Sequence, residues 1–286
     1  MTAQQWVKSE CGVDVPGIIY GTAWKKERTA DLVEKALLIG FNGIDTACQP
    51  KHYDEALVGV GLQRAIQQGV ARESLYLQTK FTPLSGQDPE HVPYDKSASL
   101  DVQVSQSFVT SQHNLQTDYV DCLILHSPLS NHALTLQAWR AMETIHQAGG
   151  ARQLGISNCY DFSVMQALYA DAKVKPAIVQ NRFYQDTNYE TPLREWCVKQ
   201  GVIFQSFWSL TANPHVLNSD VMHSLAERYH KTRSQIFFRY LTQAQIVPLT
   251  GTSSEHHMQE DLSIFEFTLT ADDFMKVNSQ LTAIPT

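Results

Sequence analysis

The sequence predicts an α/β protein that folds as one (β/α)8 TIM barrel, a single domain over residues 1–286. Short apolar runs alternate with longer amphipathic stretches from about residue 17 to residue 265, which is typical of repeated strand and helix units. Eight such runs are present, and 286 residues suit a single barrel, which commonly has ~250. A doubly wound open sheet is the alternative, but its first strand normally precedes a GxGxxG turn, which IIYGTAWKK lacks.

The predicted strands are short apolar runs, and the segments between them have helical periodicity. Several helical segments end in glycine, which favours a left-handed C-cap, as in TADLVEKALLIG and TPLREWCVKQG. The strands are Ile18–Thr22, Gly43–Thr46, Leu75–Lys80, Val120–His126, Ala151–Ser157, Ala177–Gln180, Val202–Phe207 and Ile246–Thr250. The longest irregular segment, Thr82–Lys96, follows the third strand, and we expect it to cover the substrate side of the barrel.

Composition narrows the classes of function. Hydrophobic residues make up 43% and charged residues 18%, which is ordinary for a globular domain with a large core. The net charge is −7, and no stretch clusters Lys and Arg with aromatics, so nucleic acid is an unexpected partner. Five scattered cysteines without a CxxC pair indicate a reducing compartment. Without a leader-like N-terminus or a long apolar run, the sequence predicts a cytoplasmic location and no membrane partner.

Polar residues follow most of the predicted strands. Because the active site of a (β/α)8 barrel lies at the C-terminal ends of the strands, these side chains should converge on one pocket. Taken singly they are ambiguous, since an Asp that opens a loop is often a turn residue and a His often bonds the backbone. The polar residues are Asp45, Lys80, His126, Ser157, Asn158 and Gln180.

Several segments, spanning about residues 15 to 265, resemble the aldo-keto reductase superfamily. They are GFNGIDTACQPKHYDEALVG, LYLQTKF, DYVDCLILHSP, GISNC, PAIVQ and VPLTGTSSEHHMQEDL. The resemblance implies an oxidoreductase that passes hydride from NADPH, with NADH possible, to a small aldehyde or ketone.

The resemblance implies a catalytic tetrad of Asp45, Tyr53, Lys80 and His126. One spacing departs from the family pattern, because Tyr53 lies eight residues after Asp45 instead of five. The segment CQPKH is longer than usual, and His52 is the alternative acid. Hydride addition leaves negative charge on the carbonyl oxygen, which a positioned acid must neutralise. Tyr53 would be that acid, Lys80 would lower the phenol pKa, Asp45 would hold Lys80, and His126 would orient the carbonyl.

The resemblance also implies a set of cofactor-binding residues. Ser157, Asn158 and Gln180 would bond the nicotinamide carboxamide, and Phe207 would stack on its ring, although Phe207 and the adjacent Trp208 equally suit core packing. The other residues of the set lie at the first-strand turn, after the seventh strand and at the nucleotide end: Gly21, Thr22, Leu210, Thr250, Thr252, His257, Glu260 and Asp261.

The nucleotide end departs from the family pattern. Many members have a Lys and an Arg where this chain has Leu249 and His257, so two permanent charges for an adenosine 2′-phosphate are missing. Asp261 stands where the family has an amide. Backbone N–H groups of residues 252–254 can still bind a phosphate, so the resemblance favours NADPH and leaves NADH open.

The sequence also bears on other kinds of function. No HxH or HxxxH spacing accompanies carboxylates near a strand end, so no metal is predicted. A Schiff-base lyase could use Lys80 as nucleophile, and a non-catalytic barrel could serve as a cofactor sensor or partner subunit. The short tail, Ala271–Thr286, predicts an open site that prefers aldehydes to bulky ketones, and we expect a monomer.

Overall fold

The computed structural model describes residues 6–282 and contains a closed barrel of eight parallel strands. Each strand pairs with the next in the chain, and the last pairs with the first, which confirms the predicted fold. The strands are β3 (Ile19–Gly21), β4 (Gly43–Asp45), β5 (Tyr76–Phe81), β6 (Cys122–Leu125), β7 (Leu154–Ser157), β8 (Ile178–Arg182), β9 (Ile203–Phe207) and β10 (Ile246–Thr250). Residues 1–5 and 283–286 of the predicted domain lie outside the described residues.

The eight predicted strands are all present; Ile246–Thr250 has the predicted ends, and the other seven differ at one or both ends. The predicted strands Val120–His126 and Ala151–Ser157 were too long, because before β6 and β7 the chain makes only an isolated bridge between Val120 and Ala151. The predicted strand Ala177–Gln180 was too short, since β8 pairs with β9 as far as Arg182. This extension places Arg182 at the mouth of the barrel.

An N-terminal hairpin that the sequence did not predict covers the N-terminal end of the barrel. Its strands are β1 (Trp6–Lys8) and β2 (Asp14–Pro16), which pair in antiparallel fashion. Val15 is fully buried with the first inward-facing residues of the barrel strands, including Tyr76 and Ile178. The end of the barrel remote from the polar residues is therefore sealed by apolar contacts.

Helices surround the barrel, and several begin at side-chain caps. Asp54 accepts a hydrogen bond from Leu57 N, and Thr232 forms a capping box with Gln235. The helices are α1 (Thr29–Ile39), α2 (Glu55–Gln67), α3 (Leu100–Leu115), α4 (His132–Gln147), α5 (Phe162–Asp171), α6 (Thr191–Gln200), α7 (Pro214–Leu217), α8 (Asp220–Tyr229), α9 (Arg233–Gln243), α10 (Glu255–Leu262) and α11 (Ala271–Thr282). None of them, within residues 6–282, has the length and hydropathy to cross a membrane.

Strand alternation sorts the side chains into an outer core and a barrel interior. In β5, Leu77 and Phe81 pack outward in the large core under the helices, whereas Tyr76 faces inward. The interior changes from apolar to polar toward the C-terminal strand ends. An apolar layer of Tyr76, Ile178 and Ile203 is followed two residues later by Gln78, Gln180 and Gln205, and two residues later again by Lys80, Arg182 and Phe207.

Candidate active site

Three glutamines form a hydrogen-bonded layer inside the barrel. Gln78 and Gln205 donate to each other at 2.9 and 3.0 Å, and Gln180 donates to Gln205 at 2.9 Å. Gln78 and Gln180 also donate to Oδ1 of Asp45, at 2.7 and 3.0 Å. All are buried, so the layer holds the Asp45 carboxylate without bulk water. We refer to Gln78, Gln180 and Gln205 as the glutamine layer.

Asp45 and Lys80 form a buried ion pair above the glutamine layer. Lys80 Nζ donates to Asp45 Oδ1 at 2.6 Å and to the carbonyl of Thr46 at 2.8 Å, and the Lys80 side chain is only 1% exposed. Burial lowers the pKa of Lys80, and the negative charge of Asp45 opposes that shift. Lys80 is thus held in one position by two acceptors.

The lengthened loop after β4 carries Tyr53 to this ion pair. The backbone N–H groups of His52 and Tyr53 both donate to the carbonyl of Gln49 at 3.1 Å, which turns the chain back toward the barrel. The Tyr53 ring centroid lies 5.1 Å from Lys80 Nζ and 6.1 Å from the His126 ring centroid. The alternative acid, His52, packs instead against Trp24, with ring centroids 4.1 Å apart. Of these two residues, Tyr53 is the one whose ring contacts both Lys80 and His126.

The electrostatics of Tyr53 differ from the sequence-based expectation. Lys80 was expected to lower the phenol pKa, but burial raises the pKa of Tyr53 above its ordinary value, and the charge of Asp45 raises it further. Burial is the larger of these two causes, and together with Asp45 it outweighs the effect expected of Lys80. Tyr53 is accordingly protonated at neutral pH, which is the form that an acid requires.

His126 follows β6 and faces Tyr53. Its Nδ1 lies 2.6 Å from the hydroxyl oxygen of Thr82, and its carbonyl accepts a hydrogen bond from Asn158 Nδ2 at 2.9 Å. Burial, followed by the Lys80 charge, lowers the pKa of His126 well below its ordinary value. The imidazole is therefore neutral and has one N–H.

The residues predicted to hold the nicotinamide are brought together at the ends of β7 and β8. Ser157 donates to the carbonyl of Gln180 at 2.7 Å, and Asn158 adopts a left-handed conformation with φ of 51°. Asn158 Oδ1 accepts from the Tyr160 hydroxyl at 3.1 Å. The Gln180 nitrogen is engaged by Asp45 and Gln205, while no protein donor within residues 6–282 bonds its Oε1. That oxygen is available to an amide N–H donor.

An arginine-aromatic cluster that the sequence did not reveal lies beside Phe207. Arg182, two residues after Gln180, places its guanidinium 4.2 Å from the ring centroid of the half-exposed Trp208 and 5.1 Å from that of Tyr184. Phe207 itself is partly buried, and Leu210 packs against the outer core. Period-two alternation from Gln180 was the signal that could have placed Arg182 on the inner face.

The first-strand turn is tied to Asp45 by backbone and side-chain contacts. Gly21 pairs with Asp45 in the sheet, and both the backbone N–H and the hydroxyl of the buried Thr22 donate to the Asp45 carbonyl, at 3.0 and 2.9 Å. Next to this turn, the Lys25 amino group donates to the carbonyl of Gly251, and burial lowers the pKa of Lys25. A lysine therefore lies where β3 meets β10.

The predicted nucleotide end contains a buried carboxyl group. Thr250 donates to Asp261 Oδ2 at 2.6 Å, and burial raises the pKa of Asp261 to about 7. Thr252 accepts from the Tyr20 hydroxyl at 2.8 Å through its carbonyl. On the outer side of α10, His257 is exposed and Glu260 lies 3.3 Å from His256. Leu249, which stands where the resemblance implies a lysine, packs toward the apolar interior of the barrel.

The long segment after β5 folds against the loop that carries Tyr53. Gln87 donates to the carbonyls of Cys48 and Thr82, and the hydroxyl of Tyr94 donates to the Thr82 carbonyl at 2.8 Å. Gln49 donates to Gly86 O at 2.7 Å. A separate cavity of about 600 Å³ opens near the N-terminal ends of β6 and β7, away from these residues.

Comparisons with known proteins identify the family of this chain. The model of the aldo/keto reductase family matches residues 17–281. The chain belongs to the aldo/keto reductase family. It is 28% identical to the glyoxal reductase of Bacillus subtilis, over 96% of this chain and 91% of that protein. It is also 28% identical to an NAD/NADP-dependent indole-3-acetaldehyde reductase of Schizosaccharomyces pombe, over 91% and 89%.

Solved structures give the same fold. The aldo-keto reductase MGS-M4, from a Medee basin deep-sea metagenome library, is 26% identical and superposes with a TM-score of 0.81. The match covers 98% of this chain and 97% of that one. The barrel of this aldo/keto reductase therefore matches an experimental structure over nearly its whole length.

The buried ion pair gives a prediction about stability. Asp45→Asn should destabilise the protein by about 3–5 kcal/mol, because Lys80 would remain charged and buried without its counter-ion. The double variant Asp45→Asn with Lys80→Met should lose less than the sum of the two single variants. Urea unfolding of the four proteins measures this coupling. Additive losses would contradict it.

Asp261 gives a prediction about pH. Its folded pKa of about 7 lies above the ordinary unfolded value of ~3.9, so its stabilising protonated form is complete below pH ~4 and is lost as pH rises through 7. Asp261→Asn removes this loss and still accepts the Thr250 hydrogen bond. The variant should therefore exceed wild type by about 1 kcal/mol or more at pH 8, and by much less at pH 5. A thermal-melt difference that is equal at both pH values would refute the assignment.

Proposed function

We propose that this aldo/keto reductase reduces the carbonyl group of small aldehydes, and less readily of bulky ketones, to an alcohol. The observation that carries the proposal is the convergence of Tyr53 and His126 above the buried Asp45–Lys80 pair. The names of the two curated relatives, a glyoxal reductase and an indole-3-acetaldehyde reductase, support a small aldehyde as substrate. All four residues come from one chain, so we infer that a monomer suffices.

The proposed chemistry divides between the residues of the tetrad. As the carbonyl carbon gains hydride, negative charge develops on oxygen, and the Tyr53 hydroxyl transfers its proton to that oxygen. The Lys80 ammonium, 5.1 Å from the Tyr53 ring centroid, then stabilises the phenolate. Asp45 keeps Lys80 in place at 2.6 Å, and the neutral His126 donates a hydrogen bond to the same carbonyl oxygen.

The chain's residues fit a nicotinamide nucleotide, which would supply the hydride when bound. The Oε1 atom of Gln180, with no protein donor among the described residues, suits a carboxamide N–H, and Ser157 and Asn158 lie beside it. Lys25, Thr250, Thr252, His257, Glu260 and Asp261 lie around β10 and α10, where the phosphate and adenosine parts would bind. We propose NADPH as the cofactor. NADH is the alternative, because Leu249 provides no positive charge for a 2′-phosphate.

The lyase alternative is disfavoured by the contacts of Lys80. A Schiff-base lysine must present an uncharged, accessible amine to its substrate. Lys80 instead is 1% exposed, and it donates to Asp45 and to the Thr46 carbonyl. Both contacts favour a fixed ammonium that acts through Tyr53.

A direct assay tests the proposed function. Purified protein is mixed with NADPH, or separately with NADH, and absorbance at the reduced-nicotinamide band is followed as simple aldehydes such as nitrobenzaldehyde are added. We expect oxidation of the reduced nicotinamide that depends on the aldehyde. The rates with NADPH and with NADH then show which cofactor is preferred. Measurable nucleotide binding without turnover of any aldehyde would instead favour the sensor or partner-subunit function.

A matched pair of variants tests which residue is the acid. Tyr53→Phe should leave the nucleotide Kd nearly unchanged and lower kcat by about 10²- to 10⁴-fold, the usual contribution of a general acid. His52→Phe, which changes the adjacent residue and preserves an aromatic ring beside Trp24, should retain most of the activity. The opposite ranking of the two variants would assign the acid to His52.

A further inference from the structure

Thr82 lies directly after β5 and contacts the proposed catalytic histidine. The Thr82 hydroxyl oxygen is 2.6 Å from His126 Nδ1, and the Thr82 residue is 2% exposed. Its backbone is held on both sides of this contact. Tyr94 and Gln87 donate to the Thr82 carbonyl, and His126 N donates to the carbonyl of Phe81 at 2.9 Å. These backbone hydrogen bonds thus fix the position of the Thr82 hydroxyl relative to the His126 ring.

Counting donors and acceptors gives the direction of this hydrogen bond. A neutral imidazole has one N–H and one acceptor nitrogen, and a threonine hydroxyl has one proton to donate. In the described part of the chain, His126 Nδ1 is the only acceptor within reach of the Thr82 hydroxyl. If Nδ1 were the donor, a buried hydroxyl proton would be left without a partner, which is unfavourable. The hydroxyl therefore donates to Nδ1.

This direction has a consequence for the other nitrogen of the ring. With Nδ1 as the acceptor, the single proton of the imidazole resides on Nε2. The ring faces Tyr53, with centroids 6.1 Å apart, and no protein group within residues 6–282 bonds Nε2. An N–H donor is then free on the side where the Tyr53 hydroxyl would meet a carbonyl oxygen.

We propose that Thr82 is a positioning residue that holds His126 in the Nε2–H tautomer, so that Nε2 donates to the carbonyl oxygen of the substrate. This inference rests on the proposed function for the role of the donated hydrogen bond. It also gives the segment after β5 a task other than covering the substrate. Through Tyr94 and Gln87, that segment fixes the backbone that presents the Thr82 hydroxyl.

The tautomer of His126 can be determined by a measurement that does not require catalytic turnover. Long-range ¹H–¹⁵N correlation spectra of protein with ¹⁵N-labelled histidine distinguish the Nε2–H form from the Nδ1–H form, and His126→Asn identifies the His126 signals. We expect the Nε2–H form in wild type and in Thr82→Ser, which retains the hydroxyl. Thr82→Val, which has the same shape without a donor, should show a mixture of both forms. An Nδ1–H signature in wild type, or an unchanged spectrum in Thr82→Val, would overturn the proposal.

Kinetics supply the second readout on the same variants. Thr82→Val should lower kcat/KM for the aldehyde roughly tenfold, the effect of one lost neutral hydrogen bond, while the nucleotide Kd is unchanged. Thr82→Ser should stay close to wild type. Thermal melts confirm that both variants fold. A tenfold loss in Thr82→Ser as well, or no loss in Thr82→Val, would count against the role in positioning.

The two readouts separate this inference from the proposed function. If wild type shows the Nε2–H form and Thr82→Val disturbs it, but no aldehyde is reduced, the proposed function fails and the control of the tautomer by Thr82 remains. If aldehydes are reduced and the tautomer is insensitive to Thr82, the proposed function holds and this inference fails.

Discussion

The site depends on one buried ion pair. Asp45 and Lys80 are both removed from water at the C-terminal end of the barrel, where an unpaired charge would cost several kcal/mol. Their mutual contact of 2.6 Å compensates part of that cost. Gln78 and Gln180 of the glutamine layer compensate a further part, because they donate hydrogen bonds to the same carboxylate oxygen. If either charge moved or were removed, a buried polar group would be left without its partner. The position of the ammonium below Tyr53 is therefore set by the interior of the barrel.

The barrel geometry explains why these residues meet. Parallel strands with period-two alternation place every second side chain inside and align them into layers. In β5 the inward residues are Tyr76, Gln78 and Lys80, which run from an apolar floor to a charged top. β8 and β9, which pair with each other elsewhere in the barrel, also place a glutamine two residues after an inward isoleucine. Apolar packing at the N-terminal end therefore supports the amide contacts, and these in turn support the ion pair. The N-terminal hairpin closes the apolar end and leaves the polar end as the mouth.

Local sequence patterns were enough to predict the barrel and the positions of the strand-end residues. Each strand contains a short apolar run, and the polar residue that follows the run faces the barrel interior, as with Lys80 and Gln180, although β5 continues to Phe81 and β8 to Arg182. The glutamine layer was not predicted, because a buried glutamine in an apolar run looks unfavourable until its partners on distant strands are known. The same holds for Thr82 and His126, 44 residues apart, whose contact depends on how two adjacent strands are aligned. Tyr53 was predicted from the family resemblance. The turn at Gln49 that brings Tyr53 back to the barrel could not be predicted from sequence spacing alone.

Burial has different consequences at Lys80 and at Asp261. Around Lys80, burial is compensated by the Asp45 carboxylate and by several hydrogen bonds, which hold the side chains in one arrangement. At Asp261, burial is compensated by one hydroxyl from Thr250, so the carboxyl has a pKa of about 7 and is partly neutral at physiological pH. A neutral acid at this position donates as well as accepts a hydrogen bond, as the amide that the family resemblance implies there would do. The aspartate thus resembles that amide in hydrogen bonding below pH 7, and becomes a buried negative charge above it.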